Sequence, residues 1–163
     1  MDLKQELKRF AIEGDFVLAS GANSKIYLHI KKAYGEPELL NAISDSLYGR
    51  MPANITCVSG MGKGAEPIAA TISSRHGLRL SVVRSKLKDH GVGGSIEYYV
   101  PSKMDLVAVV DDVFTTGKSL EKNLEILNST GAQIVGGYVV VKRGEGKLSV
   151  PLHYLFTLDE LLN

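Results

Sequence analysis

Short apolar runs alternate with amphipathic stretches along this chain, and that alternation sets the expected elements. Residues 1–13 place Leu3, Leu7, Phe10 and Ala11 on one face at helical spacing, and Gly14-Asp15 breaks the stretch. Phe16-Val17-Leu18 is a short extended piece, Ser20-Gly21 turns the chain, and residues 26–30 read as a strand. Residues 16–32 therefore predict a hairpin or hood outside the core sheet. A helix is expected over 37–48, with Leu39, Leu40, Ile43 and Leu47 apolar and Gly49 as its stop. A strand is expected over 54–59, a helix from about 67 to 76, and a third strand over 80–84. Residues 106–110, LVAVV, suit a strand buried on both faces. Leu120, Leu124 and Leu127 mark a helix to about residue 128, ended by Gly131. Residues 134–142 are a long β-rich run, and 152–162 a last strand with a short helix. Strands alternating with helices predict an α/β fold, an open and mostly parallel sheet flanked by helices, with its site at the C-terminal ends of the strands.

Composition narrows the function classes. With 163 residues the chain is long enough for one domain with a real core. At 44% hydrophobic and 23% charged it has the balance of an ordinary globular protein. The net charge of +1, without a basic tail, gives no footprint for nucleic acid. The single cysteine, Cys57, excludes an intramolecular disulfide and fits a reducing compartment as a packed thiol. The opening MDLKQELKRF lacks the apolar centre of a signal peptide, and no run reaches transmembrane length. The expectation is a cytoplasmic protein with no membrane partner.

The candidate chemistry centres on residues 106–120, LVAVVDDVFTTGKSL. A strand leads to two carboxylates, Asp111 and Asp112, then to Thr115, Thr116, Gly117, Lys118 and Ser119, where a helix begins. Unpaired N–H groups and the positive end of a helix dipole favour an anion there, and the hydroxyls add donors. Carboxylates repel a phosphate but suit sugar hydroxyls or a hydrated Mg²⁺. The stretch asks for a ligand with a phosphate beside a diol, such as a ribose 5-phosphate. A nucleotide P-loop is excluded, because Asp112 stands where its first glycine is needed. The turn Gly60-Met61-Gly62-Lys63-Gly64 offers a second strand-to-helix approach to an anion. Residues 85–95, charged and carrying Gly91, Gly93 and Gly94, read as a loop. It is either a solvated hairpin tip or a lid that brings Arg84, Lys86, Lys88 and His90 to an anionic substrate.

Residues 109–119, VVDDVFTTGKS, resemble the signature of type I phosphoribosyltransferases. The resemblance implies that fold, with Asp111 and Asp112 on the ribose hydroxyls and Val113, Phe114, Thr115, Thr116, Gly117, Lys118 and Ser119 cradling the 5-phosphate. It places the pyrophosphate loop, with Lys63, before the helix that carries Pro67, Ile68 and Ala69. Arg84, Lys88, Asp89, His90 and Gly91 are similar to the catalytic loop of the orotate branch. Ser85 stands where that branch has a lysine, and Lys86 follows one residue later. Residues 16–24 resemble the branch's F-x-L-x-S-G-x-x-S segment, with Ala19 at a position where many members carry lysine. Arg143, at the end of the long β-rich run, resembles the arginine that contacts orotate.

Membership would imply transfer of ribose 5-phosphate from 5-phosphoribosyl-1-pyrophosphate to orotate. Lys88 and His90 would contact the leaving group. Mg²⁺ would be held mainly through the substrate, so no metal ligands are assigned, and a homodimer would share the lid across its interface. The chain would be one domain, with a hood of about 1–35 plus the C-terminal end and a core of about 36–145. A purine phosphoribosyltransferase and a donor-binding regulator remain as alternatives. A receiver-like signalling domain would leave the phosphate turn unexplained.

Overall fold

In a computed structural model describing residues 1–18, 21–84 and 95–163, the apolar run from Leu106 is the central strand of the molecule. Val107 and Val109 point to one side, Ala108 and Val110 to the other, and all four are fully buried. Helices cover both faces for that reason, as the unbroken apolar run requires.

In chain order, α1 (Leu3–Lys8), β1 (Ala11–Val17), β2 (Asn23–Leu28) and α2 (Ile30–Ala33) precede α3 (Pro37–Tyr48). Next come β3 (Cys57–Met61), α4 (Glu66–His76), β4 (Arg79–Val83) and β5 (Ile96–Tyr98). The last elements are β6 (Leu106–Phe114), α5 (Lys118–Asn128), β7 (Gln133–Lys142), β8 (Leu152–Thr157) and α6 (Leu158–Leu162). The main sheet has the order β5-β4-β3-β6-β7-β8, parallel throughout except for β5, and β1 and β2 form a separate antiparallel hairpin.

One face of the sheet packs Ala108, Val110, Tyr138 and Val140 against Leu39, Ile43 and Leu47 of α3 and Ile68, Ala69 and Ile72 of α4. The other packs Val107, Val109 and Val139 against Leu120, Leu124 and Leu127 of α5. Each such valine, leucine or isoleucine contributes about 1.5–3 kcal/mol by leaving water. The open mostly parallel α/β sheet is therefore as expected, and the hairpin stands outside it.

Several boundaries differ, each for a local reason. The first helix ends at Lys8, with the Asp2 carboxylate accepting from the N–H groups of Lys4 and Gln5 at 3.1 and 3.3 Å. Phe10 and Ala11 fit the helical spacing, but Ala11 pairs with Leu28, and Gly14-Asp15 lies inside a strand instead of breaking a helix. The second hairpin strand stops at Leu28, and Ile30 is buried from the short α2. Strand β3 runs two residues further than expected, through Gly60 and Met61. Strand β5, three residues antiparallel at the sheet edge, was outside the expectation. The sheet also extends past residue 145 to Thr157, beyond the expected limit of the core. Most consequential, β6 continues to Phe114, so the acidic pair sits within the strand and not after it.

Candidate active site

Strand β6 delivers the acidic pair to the C-terminal edge of the sheet. Asp111 is 9% exposed, and its carboxylate accepts from the N–H of Asp112 at 2.8 Å. Asp112 accepts in the same way from Val113 N–H at 2.8 Å. Each carboxylate is thus steered by the backbone, with its second oxygen free of that bond. Burial, and then the adjacent Asp112 charge, push Asp111 well above the usual carboxylate range, while Lys31 on α2 pulls it partly back. Two adjacent acids held in this way are poised for hydroxyl donors or a hard cation, which would relieve the repulsion.

The β3–α4 turn closes on the pair from the side. A Cβ on Gly64 would lie 2.3 Å from Asp112 Oδ2, so only glycine lets the turn approach so closely. Tyr34, just after α2, donates its hydroxyl to Gly64 O at 3.2 Å. Burial, and then the charges of Asp112 and Asp111, raise the Tyr34 phenol, so it stays a donor. Lys63 is exposed on the same turn.

After Phe114 the chain turns through Thr115, Thr116 and Gly117 into α5. Gly117 has φ of 86°, a left-handed conformation at the helix N-cap. The Thr116 hydroxyl accepts from Lys118 N–H at 3.4 Å. A cavity of about 150 Å³ opens here, lined by residues 113–120 together with Asp111. Backbone donors, threonine hydroxyls and the positive end of an eleven-residue helix converge on it. Phe114 differs from its neighbours: its side chain is 1% exposed and belongs to the core.

A second cavity, about 500 Å³, lies between the hairpin and this edge of the sheet. Asp112, Thr115, Thr116 and Lys118 line it from the core, Tyr27, His29, Lys31 and Lys32 from the hood side, and Arg143 closes it. The Arg143 guanidinium donates to Ser24 Oγ at 3.2 Å and Ile26 O at 3.3 Å, and burial lowers its pKa from the ordinary arginine value. Tyr27 packs between Phe16 and His29, with ring centroids 5.5 and 4.7 Å away. The cavity offers a flat aromatic wall with cations at its margin, which suits a planar anion.

The structure thus gathers Asp111, Asp112, Val113, Thr115, Thr116, Gly117, Lys118, Ser119 and Arg143 around two adjoining cavities. Arg84 lies elsewhere, with its guanidinium on Glu66 and on Glu97, the latter at 2.8 and 2.9 Å. Lys86, Lys88 and His90 lie outside the described residues. The sequence did not single out Tyr34, Lys31 or the contact of Gly64 with Asp112. Lys31 was visible as a cation after the hairpin strand, but Tyr34 carries no signal without the fold. Among the described residues no group of three His, Cys, Asp or Glu side chains gathers as a metal site, and no helix is long and apolar enough to cross a membrane.

Comparison with known proteins gives consistent relatives. The phosphoribosyl transferase domain family matches residues 31–160. An orotate phosphoribosyltransferase of Methanopyrus kandleri is 36% identical over 154 residues, 91% of this chain and 82% of that protein. One of Pyrococcus horikoshii is 38% identical over 155 residues, covering 90% and 83%. The crystal structure of orotate phosphoribosyltransferase from Aeropyrum pernix superposes with a TM-score of 0.86 at 33% identity, covering 98% of this chain and 96% of that one.

Proposed function

The chain belongs to the phosphoribosyl transferase domain family, with orotate phosphoribosyltransferases as its relatives, and on that premise we propose how its crevice transfers ribose 5-phosphate to orotate. The observation that carries the proposal is the adjacency of a phosphate-sized cavity, an acidic pair and a larger cationic cavity along one sheet edge. The Thr115–Ser119 turn takes the 5-phosphate of 5-phosphoribosyl-1-pyrophosphate. Asp111 and Asp112 take the ribose hydroxyls, and their negative charge favours the oxocarbenium character that develops on the ring. The Gly62–Gly64 turn with Lys63 faces the pyrophosphate. Arg143, Lys31 and Lys32 meet the orotate carboxylate and ring oxygens, while Tyr27 covers its face.

In the reaction the bond from the anomeric carbon to pyrophosphate breaks and the electron pair leaves with the pyrophosphate. A bond to the base nitrogen forms, and the base loses its proton. Lys88 and His90 are assigned to the leaving oxygens, which they would stabilise or protonate. Arg84 and Lys86 would join them, Arg84 by exchanging Glu66 or Glu97 for a phosphate oxygen. The oxygens of Asp111 and Asp112 fit a hard divalent cation or its water shell, and Mg²⁺ carried by the donor would supply charge neutralisation on the pyrophosphate. Val113 and Phe114 act through their backbone and core packing. We further assign the hood and core to one working unit, a homodimer that shares the 85–95 segment, and a cytoplasmic setting.

The test mixes the protein with Mg²⁺, 5-phosphoribosyl-1-pyrophosphate and a panel of bases, following the loss of orotate absorbance and the release of pyrophosphate. Turnover with orotate and not with adenine or hypoxanthine is expected. Turnover on a purine alone would reassign the base, and tight donor binding without turnover on any base would indicate a regulator.

A further inference from the structure

The segment Gly144–Ser149 packs directly against the phosphate turn. Arg143 and Gly144 donate their N–H groups to Phe114 O at 2.8 and 3.3 Å, and Gly146 donates to Thr115 O at 3.2 Å. At the far end the Ser149 hydroxyl donates to Glu121 on α5 at 2.9 Å, and Ser149 N–H donates to the same carboxylate.

The two backbones interlock through glycines on both sides. A Cβ on Gly144 would lie 2.5 Å from Thr115 O, one on Gly146 2.3 Å from Thr116 O, and one on Gly117 2.7 Å from Lys147 O. The obstructing atoms are all backbone, so no rotamer change can relieve them. The segment directly follows Arg143, whose guanidinium rests on the hood at Ser24 and Ile26.

We propose that Gly144–Ser149 is a strut that holds the Thr115–Gly117 turn in its phosphate-binding shape, with Gly144 and Gly146 as positioning residues. This rests on the assignment of that turn to the 5-phosphate. A turn built from short polar residues has little packing of its own to fix where its N–H groups point. The strut supplies that constraint through two backbone hydrogen bonds, a third from Arg143 just before it, and an anchor on α5. It also fixes the distance between the phosphate end and the base end of the crevice, because Arg143 immediately precedes this short, doubly tethered segment.

The test is Gly146→Ala, assayed against the unaltered protein by calorimetric binding of ribose 5-phosphate, binding of magnesium pyrophosphate, and steady-state kinetics. Seating the new methyl group shifts the turn by roughly 1 Å, a misplacement that costs about tenfold or more at a preorganised site. Ribose 5-phosphate affinity and the donor KM should worsen by about that factor, with kcat within about threefold and pyrophosphate affinity unchanged. Unchanged ribose 5-phosphate binding, or equal loss of ribose 5-phosphate and pyrophosphate binding, would overturn the strut. If the unaltered protein binds no ribose 5-phosphate, the phosphate assignment fails and the strut falls with it. Should Gly146→Ala not fold, Glu121→Ala releases the anchor instead. It should weaken ribose 5-phosphate binding about threefold, as loss of a hydrogen-bonded tether does, and unchanged binding there overturns the proposal.

Discussion

Replacing Gly64 by alanine tests how the β3–α4 turn and the acidic pair are fitted together. The added Cβ would stand 2.3 Å from Asp112 Oδ2, 2.4 Å from its Cγ and 2.7 Å from Oδ1. Carbon and oxygen do not approach so closely, so the carboxylate must retreat by roughly 1 Å. Retreat gives up the bond from Val113 N–H, now 2.8 Å long. Asp112 is a short side chain on a sheet strand, so its carboxylate adjusts by turning, and that takes it away from the proposed sugar position. A displacement of that size costs about 10²-fold in rate, or about 2.7 kcal/mol of transition-state stabilisation. The folding cost is one hydrogen bond to a charged group, about 2 kcal/mol, which lowers Tm by about 4–8 °C in a chain of this size. Orotate consumption measured over a range of donor concentrations gives kcat/KM, and a thermal melt gives Tm. A kcat/KM within about twofold of the unaltered protein refutes the close fit, since about 10²-fold is expected. So does a loss explained entirely by unfolding at the assay temperature.

Three further outcomes follow from the same geometry. The double substitution Asp111→Asn with Asp112→Asn should abolish turnover while the melt stays at or above that of the parent, because two adjacent like charges, one of them buried, are removed; wild-type-like activity would remove the sugar role. Lys88→Ala should lower kcat far more than donor affinity, and equal loss in both would argue for ground-state binding alone. Asp105, 5% exposed, is pushed up by burial but pulled further down by hydrogen bonds from Ser102, Tyr99 and Thr56, so its folded pKa lies below the ordinary value. Its contribution is therefore complete above the unfolded pKa and fades as pH falls through the lower folded one. Urea unfolding should show Asp105→Asn about 2 kcal/mol less stable at neutral pH, with the gap closing below about pH 4, and a constant gap down to pH 2 would contradict the assignment.

The elements with one dominant pattern were legible in the sequence. The apolar run from Leu106, the Pro37–Tyr48 helix and the hydroxyl-glycine turn into α5 each state a single period or turn chemistry, and each appears where expected. Positions serving two periods were ambiguous. Phe10 and Ala11 fit a helix face, but cross-strand pairing with β2 claims Ala11. His29 and Ile30 continue the alternation of the hairpin strand, but a helical turn buries Ile30 equally well. The acidic pair looked like the end of a strand because carboxylates are uncommon inside one; pairing with β7 carries the strand through them to Phe114. The contacts of Tyr34 with Gly64, and of Gly146 with Thr115, join residues 30 or more apart in the chain. No local period encodes such contacts, so they emerge only when the topology brings the segments together.

The most direct measurement is a crystal structure of the protein soaked with ribose 5-phosphate. The phosphoryl group is expected in the Thr115–Ser119 turn, within about 3 Å of backbone N–H groups, with the 2- and 3-hydroxyls on Asp111 and Asp112. A sugar bound at any other edge of the sheet, or bound with its diol turned away from those two carboxylates, would contradict the proposed chemistry.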